Sequence, residues 1–157
     1  MSELRALMNR HPHAGTVDWI GLRPARLVPM SVPDQVEVTL NGLTGDHHSA
    51  GGKRAVTLLQ AEHIAVIAAL ARAQVAPDQL RRNIVISGIN LQALRKTPLQ
   101  IGSAQLRITG PCPPCSRMER TIGPGGYNAM RGHGGWYAEV VHPGHITLHD
   151  AVAPAGL

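Results

Sequence analysis

The chain lacks phenylalanine and has few aromatic residues of any kind: Trp19, Tyr127, Trp136 and Tyr137. Proteins that bind nucleic acid usually combine a basic run or stripe with interleaved aromatic side chains. The basic clusters here are short, such as Arg81-Arg82, and have no aromatic neighbour. The composition therefore predicts that nucleic acid is not the partner.

Acidic residues are also scarce. There are 10 Asp and Glu against 15 Lys and Arg, which gives a formal charge of +5, although only 16% of the residues are charged. An average domain has about 25% charged residues, so the positive balance comes from missing acids rather than from a basic tail. Isolated pairs of cations in such a chain favour a small anionic ligand over a polyanion.

Long apolar runs and a disulfide framework are missing too. No segment approaches the ~18 apolar residues of a membrane span, and the N-terminus does not resemble a secretory signal. Two cysteines are too few for a disulfide scaffold. With 43% hydrophobic residues, the chain can bury a core. We expect a soluble, cytoplasmic domain with no membrane partner.

Glycine and proline are abundant, at 17 and 12 residues, and predict many turns. Apolar patterning predicts about eight short strands, including residues 36–40, 55–59, 83–87, 104–108 and 146–148, and one long helix at 61–74. Because strands and helices do not alternate, we expect a mainly β fold with appended helices (α+β), built as a bent sheet or β-barrel. The predicted organisation is an N-terminal extension (1–14), one domain (15–150) and a C-terminal tail (151–157).

Two glycine-rich loops do not match known phosphate-binding fingerprints. The Gly51-Gly52 loop has His47 where a P-loop needs glycine and Arg54 where it needs serine or threonine. The loop at 123–126 has Asn128 at the last glycine position of a dinucleotide motif. Glycine-rich loops with a nearby cation can still present backbone N–H groups to an anion.

The most informative segment is 110–119, which contains Cys112 and Cys115 among three prolines. Cys115 lies where a short helix is expected to begin, close to Arg117 and Arg120. A helix N-terminus and neighbouring cations favour the thiolate. Such a thiolate can serve as a nucleophile, a sulfur carrier or a metal ligand.

Three other interpretations of the two cysteines remain open. They can form a dithiol redox pair, although the thioredoxin-like βαβ context is missing. They can form half of a zinc site completed by two of His133, His142, His145 and His149. They can also be inert, buried thiols.

Six segments, in this order, resemble the MOSC domain found at the C-terminus of molybdenum-cofactor sulfurases. They are WIGLRP at 19–24, GLTGDH at 42–47, VTLLQ at 56–60, RRNIV at 81–85, SGINL at 87–91 and GPCPPC at 110–115. Each motif alone is weak, but their order and spacing are specific. The resemblance covers residues 15–150 and indicates a compact, stand-alone bacterial-type member.

The resemblance implies a β-barrel-like fold that binds the molybdenum cofactor, a pterin with a dithiolene and a terminal phosphate. The characteristic cysteine of the family matches Cys115. In one branch of the family that cysteine carries sulfur as a persulfide, and in members that reduce amidoximes and N-hydroxy compounds it ligates molybdenum. Arg81 and Asn83 match positions that face the cofactor, whereas Cys112 is additional to the family pattern.

The sequence-based model of the site follows from this resemblance. Cations for the cofactor phosphate are predicted at Lys53, Arg54, Arg81 and Arg131, and groups for the pterin edge at Asn83, Tyr127 and Asn128. Asp46 and His47, in the matched 42–47 segment, complete the predicted cofactor-binding residues. Cys115 is the predicted catalytic and molybdenum-ligating residue.

Three kinds of function are therefore predicted. The first is a sulfur carrier or a molybdenum-dependent N-hydroxy reductase, with a cysteine desulfurase or an electron-donor protein as partner. The pyridoxal-phosphate domain of the sulfurases and the N-terminal extension of the amidoxime reducers do not fit within 157 residues. The alternatives are a non-catalytic module that delivers cofactor or sulfur to a partner protein, and a small zinc-binding structural domain.

Overall fold

The computed structural model describes residues 2–48 and 50–156. The helices are α1 (Glu3–Met8), α2 (Ala61–Ala71), α3 (Pro77–Leu80), α4 (Arg117–Ile122) and α5 (Gly126–Met130), with 3₁₀ helices at Gly52–Arg54 and Leu91–Leu94. The strands are β1 (Gly15–Ile20), β2 (Gln35–Thr39), β3 (Gly42–Leu43), β4 (Val56–Gln60), β5 (Ile84–Ser87), β6 (Leu99–Ile101), β7 (Ala104–Pro111), β8 (Trp136–His142), β9 (Gly144–Thr147) and β10 (Ala151–Pro154).

Seven strands form a closed barrel in the order β1-β10-β6-β7-β8-β4-β5. The other three strands form a small sheet in the order β3-β2-β9. The strand pairs of the barrel are antiparallel except β4 and β5, which are parallel and are connected through α2 and α3. The predicted mainly β fold with appended helices is confirmed. None of the described helices is long and apolar enough to cross a membrane.

The parallel strands β4 and β5 are apolar on both faces because they contribute to two cores. Leu58 and Ile84 belong to the large cluster formed by strands around the barrel. The adjacent residues Leu59 and Val85 point the other way and pack with Ile67 of α2. This alternation, which follows the period of two in a strand, places α2 to α5 against one wall of the barrel.

The structure corrects several predicted boundaries. Helix α2 ends at Ala71, not at residue 74, because Arg72 adopts the left-handed conformation at φ 51° that terminates a helix. The segment predicted as a C-terminal tail contains β10, which pairs with β1 and β6 and closes the barrel. The described residues contain ten strands, against about eight predicted, and the two additional strands are β3 and β10.

Candidate functional site around Cys115

The two cysteines lie in the loop between β7 and α4, and the structure places them in different environments. Cys112 is buried, with 4% of its surface exposed, whereas Cys115 is exposed. The backbone N–H of Cys112 donates to the carbonyl of Gly135, which fixes the start of the loop. At the other end, the carbonyl of Cys115 accepts from the N–H of Met118 in the first turn of α4. Both thiols are free.

The buried side chain of Arg82 holds this loop in place. Its guanidinium donates to four backbone carbonyls, those of Gly134 (2.7 Å), Pro113 (3.1 Å), Cys112 (3.3 Å) and Leu80 (3.3 Å). The ion pairs found among the described residues do not include Arg82. Arg82 therefore acts as a hydrogen-bonding clamp between the end of α3, the cysteine loop and the loop before β8.

Replacing Arg82 with methionine is expected to lower the free energy of unfolding by roughly 2 kcal/mol, because four carbonyls, three of them in buried residues, lose their donor while the cost of burying a charge is removed. Urea unfolding measures this loss. The released loop should also expose Cys112, which a faster rate of alkylation of that thiol in the native protein would report. An unchanged alkylation rate would show that Arg82 does not hold the loop.

A second buried network lies at the same end of the barrel and is centred on Asp46. The Asp46 carboxylate accepts from the backbone N–H of Arg23 (2.7 Å) and from the Arg23 guanidinium through Nε and Nη2, both at 3.1 Å. Asn83 donates from Nδ2 to Asp46 (3.3 Å) and to the carbonyl of Gly21 (3.0 Å). Its Oδ1 accepts from the N–H and the hydroxyl of Thr57. Four distant chain segments are joined by these bonds.

The protonation state of Asp46 follows from these contacts. Burial alone would raise the pKa of this carboxyl, but the hydrogen bonds from Arg23 and Asn83 and the charge of Arg23 outweigh burial and hold the pKa below its usual 3.8. Asp46 is therefore an ionised anchor for Arg23.

The lowered pKa of Asp46 predicts acid sensitivity. As the pH falls, the Asp46 carboxyl takes up its proton at a higher pH in the unfolded chain than in the folded chain. The stabilisation from ionised Asp46 is therefore present above about pH 4 and is lost as the pH falls through the pKa of the folded state. Urea unfolding midpoints between pH 6 and pH 3 measure this loss. The Asp46→Asn variant, which has no charge to lose, is expected to show a smaller decrease over that range. An equal decrease in both proteins would contradict the assignment.

Cys115 opens into a cavity of about 310 Å³ that is rich in cations. Its lining residues are Arg23, Arg26, His47, His48, Leu80, Arg81, Arg82, Cys115, Arg117 and Met118. Five of these ten residues are arginines, and none of the described lining residues is acidic. A cavity that encloses several like charges raises the local potential and favours an anionic ligand.

The electrostatics of the cavity show how closely the cations are crowded. Burial lowers the pKa of Arg81, and the neighbouring charges of Arg117 and Arg23 lower it further. Burial and the charge of Arg23 likewise lower the pKa of His48. Nδ1 of His47 lies 2.9 Å from the carbonyl oxygen of Arg23. Because a carbonyl oxygen can only accept, Nδ1 is the donor in this hydrogen bond. His47 therefore presents Nε2 as its remaining ring nitrogen.

The structure brings together only part of the predicted site. Cys115, His47 and Arg81 line the same cavity. Asp46 and Asn83 lie beside it, but their side chains are buried and bonded within the chain, so they position Arg23 rather than face the cavity.

Three other predicted residues lie around a second cavity of about 370 Å³, whose lining includes Cys112. Tyr127 and Arg131 line it, and Asn128 accepts a hydrogen bond from Arg131 at 3.4 Å. The loop that carries the two cysteines separates this cavity from the Cys115 cavity. Tyr127, Asn128 and Arg131 therefore do not converge on Cys115.

Lys53 and Arg54 line neither of these two cavities. They form the 3₁₀ helix after β3, where the Arg54 guanidinium lies 4.9 Å from the centre of the Tyr137 ring. Burial raises the pKa of Tyr137, and the nearby Cys112 raises it further. Arg54 thus packs on Tyr137, a neighbour of the buried Cys112, rather than in the Cys115 cavity.

Sequence reasoning did not assign Arg23, Arg26 and His48 to the site, although all three line the Cys115 cavity. Arg117 was expected only as a neighbour of the thiol, and the structure places it in the cavity wall. The sequence carried one signal for Arg23, its position in the 19–24 segment that resembles the MOSC pattern.

The zinc interpretation finds no support in the described residues. Across 2–48 and 50–156 there is no group of three or more His, Cys, Asp or Glu side chains arranged to hold a metal ion.

The structure thus combines a small closed barrel with an exposed thiol in an arginine-lined cavity. The sequence model of the MOSC domain matches residues 45–153. The chain therefore belongs to the MOSC domain family, which is associated with binding of the molybdenum cofactor.

Solved structures share the fold at low sequence identity. The YUAD protein from Bacillus subtilis superposes with a TM-score of 0.79 at 16% identity, over 89% of this chain and 94% of that chain. YiiM from Escherichia coli superposes with a TM-score of 0.71 at 21% identity, over 93% of this chain and 71% of that chain. YiiM from Geobacillus stearothermophilus superposes with a TM-score of 0.71 at 17% identity, over 90% of this chain and 75% of that chain. A search of curated proteins gave no significant match.

Proposed function

We propose that the Cys115 cavity binds the molybdenum cofactor and that the Cys115 thiolate ligates the molybdenum or carries sulfur as a persulfide. The observation that carries this proposal is an exposed thiol beside five arginines, with no acidic residue among the described lining residues. Soft metals and sulfane sulfur prefer a thiolate partner. Phosphate groups prefer arginine, which can donate two parallel hydrogen bonds.

The donor set of the cavity fits the cofactor. Arg26 and Arg117 line the cavity, and neither makes a side-chain hydrogen bond or ion pair within the described part of the chain, so both can bind the phosphate. Arg81 has part of its donor capacity engaged by the carbonyls of Val28 and Ala25. His47 also lines the cavity, and its Nε2 is free to hydrogen-bond a ligand because Nδ1 is engaged by the carbonyl of Arg23. When bound, the cofactor would supply redox chemistry at its metal.

The neighbouring residues keep these groups in position. Asp46 and Asn83 fix Arg23 at the cavity wall, and Arg82 fixes the loop that ends at Cys115. The exposed thiol remains accessible to a partner protein, such as a cysteine desulfurase that donates sulfur or a reductase that donates electrons. Reduction of N-hydroxylated compounds and non-catalytic delivery of cofactor or sulfur are both compatible with this arrangement.

Metal and pterin analysis of protein expressed in a molybdenum-replete host tests the proposal. We expect about one molybdenum and one pterin per chain. The double variant Arg26→Gln/Arg117→Gln should retain at least tenfold less pterin. The matched control Arg10→Gln/Arg72→Gln removes two exposed cations outside the cavity and should retain the wild-type amount.

Mass spectrometry after incubation with cysteine and a cysteine desulfurase tests the sulfur-carrier form of the proposal. A mass increase of one sulfur on the Cys115 peptide is expected. Absence of molybdenum, pterin and added sulfur from the wild-type protein would overturn the proposal. Turnover of an N-hydroxylated base with a supplied reductase then separates an enzyme from a delivery module, because the latter retains cofactor without turnover.

A further inference from the structure

We propose that a third cavity, between α1 and the 3₁₀ helix Leu91–Leu94, binds a small phosphate-bearing organic ligand of nucleotide size. Its volume is about 720 Å³, more than twice that of the Cys115 cavity. Ligand pockets in proteins typically measure about 300–1,000 Å³. We call this cavity the α1 groove. The proposal does not depend on the molybdenum cofactor or on either cysteine.

The charge of the α1 groove points to an anionic ligand. Arg5, from α1, faces the same space as Arg95 and Lys96, which follow the 3₁₀ helix, and His11 lies beside them. None of the described lining residues is acidic. The ion pairs found across residues 2–48 and 50–156 include none of these three cations. The fold therefore brings cations that are about 90 residues apart in the sequence to one groove. None of the described lining residues supplies a negative charge to balance them.

The groove also contains surface for an organic portion of the ligand. Met8, Ile108 and Pro154 contribute apolar walls. The guanidinium carbon Cζ of Arg95 lies over the Trp136 ring, 5.1 Å from its centre, in a cation–π contact. A planar guanidinium supported in this way can stack on a base and still bind phosphate. Inorganic phosphate would leave the apolar walls in contact with water.

Isothermal titration calorimetry with AMP, adenosine and inorganic phosphate at fixed ionic strength tests the proposal. We expect AMP to bind at one saturable site per chain, and adenosine and phosphate each to bind at least tenfold more weakly. The double variant Arg5→Gln/Lys96→Gln should bind AMP at least tenfold more weakly than the wild type does. Both positions are exposed, so the variant is expected to fold, and thermal unfolding checks this.

Two further variants locate the binding site. The control Arg72→Gln/Arg120→Gln changes the net charge by the same amount outside the groove and should bind AMP with the wild-type affinity. An equal loss of affinity in this control would reveal general attraction to a basic protein and overturn the proposal. A loss confined to Arg26→Gln/Arg117→Gln would place AMP in the Cys115 cavity and would also overturn it.

The remaining outcomes of the titration are equally decisive. No saturable binding of AMP up to millimolar concentration would exclude a nucleotide-sized phosphate ligand. Binding of inorganic phosphate as tightly as AMP would contradict a role for the apolar walls. Protein free of molybdenum and pterin should bind AMP with unchanged affinity, so failure of the proposed cofactor function would leave this result intact.

Discussion

Replacing Asn83 with alanine is expected to lower the free energy of unfolding by about 3–5 kcal/mol, because the substitution leaves several buried polar groups without partners. Asn83 is fully buried and accepts from the backbone N–H of Thr57 while donating to the carbonyl of Gly21. Each such group costs roughly 1–3 kcal/mol when it is buried and unpaired. Urea unfolding at pH 7 measures the loss.

Asn128 provides a matched control for this prediction. It is exposed, and its side chain makes one long hydrogen bond, at 3.4 Å from Arg131. Asn128→Ala should change the free energy of unfolding by no more than about 0.5 kcal/mol. Similar losses in the two alanine variants would show that the buried network contributes little. The comparison is informative because the sequence assigned the same pterin-reading role to both asparagines.

The Asn83 network also affects the chemistry of the cavity. Nη2 of Arg23 donates to Asn83 as well as to Asp46, so loss of Asn83 removes one of the bonds that fix this guanidinium. At temperatures where Asn83→Ala is folded, we expect weaker retention of an anionic ligand at the Cys115 cavity. Asn83 thus acts as a positioning residue.

Features that depend on local pattern could be predicted from the sequence. The apolar runs of β4 and β5 and the stripe on α2 are encoded within a few residues, and the structure contains all three. The glycine and proline content was consistent with a barrel built from short strands. The exposed position of Cys115 is compatible with its expected place before a short helix, which begins at Arg117.

Features that depend on contacts between distant segments could not be predicted in the same way. Arg23 and Asp46 form the buried ion pair, yet a strand, a loop and a second strand separate them along the chain. The two cysteines are only three residues apart, but the loop directs Cys112 and Cys115 toward different cavities. Tyr127 and Arg131 belong to the Cys112 side for the same reason. These long-range contacts and side-chain directions do not produce a periodic pattern in the sequence.

Replacing Cys115 with alanine is expected to have the largest functional effect. If the thiolate ligates molybdenum, the variant should lose molybdenum-dependent activity by roughly 100-fold or more, since even outer-shell partners of a metal contribute 10- to 100-fold. If the thiolate carries sulfur, no persulfide should form on the chain. Because Cys115 is exposed, the substitution removes little packing and should leave the unfolding midpoint nearly unchanged.

Cys112→Ala is the natural comparison, because it removes the same atom from the buried side of the same loop. That variant should lose some stability, since Cys112 packs with Tyr137, but it should keep the molybdenum, the persulfide and the accessible thiol at Cys115. Alkylation of the native wild-type protein should modify Cys115 first and Cys112 only after local opening. If Cys112→Ala lost function and Cys115→Ala did not, the reacting thiol would be the buried Cys112. The cavity that includes Cys112, Tyr127 and Arg131 would then be the site of the chemistry.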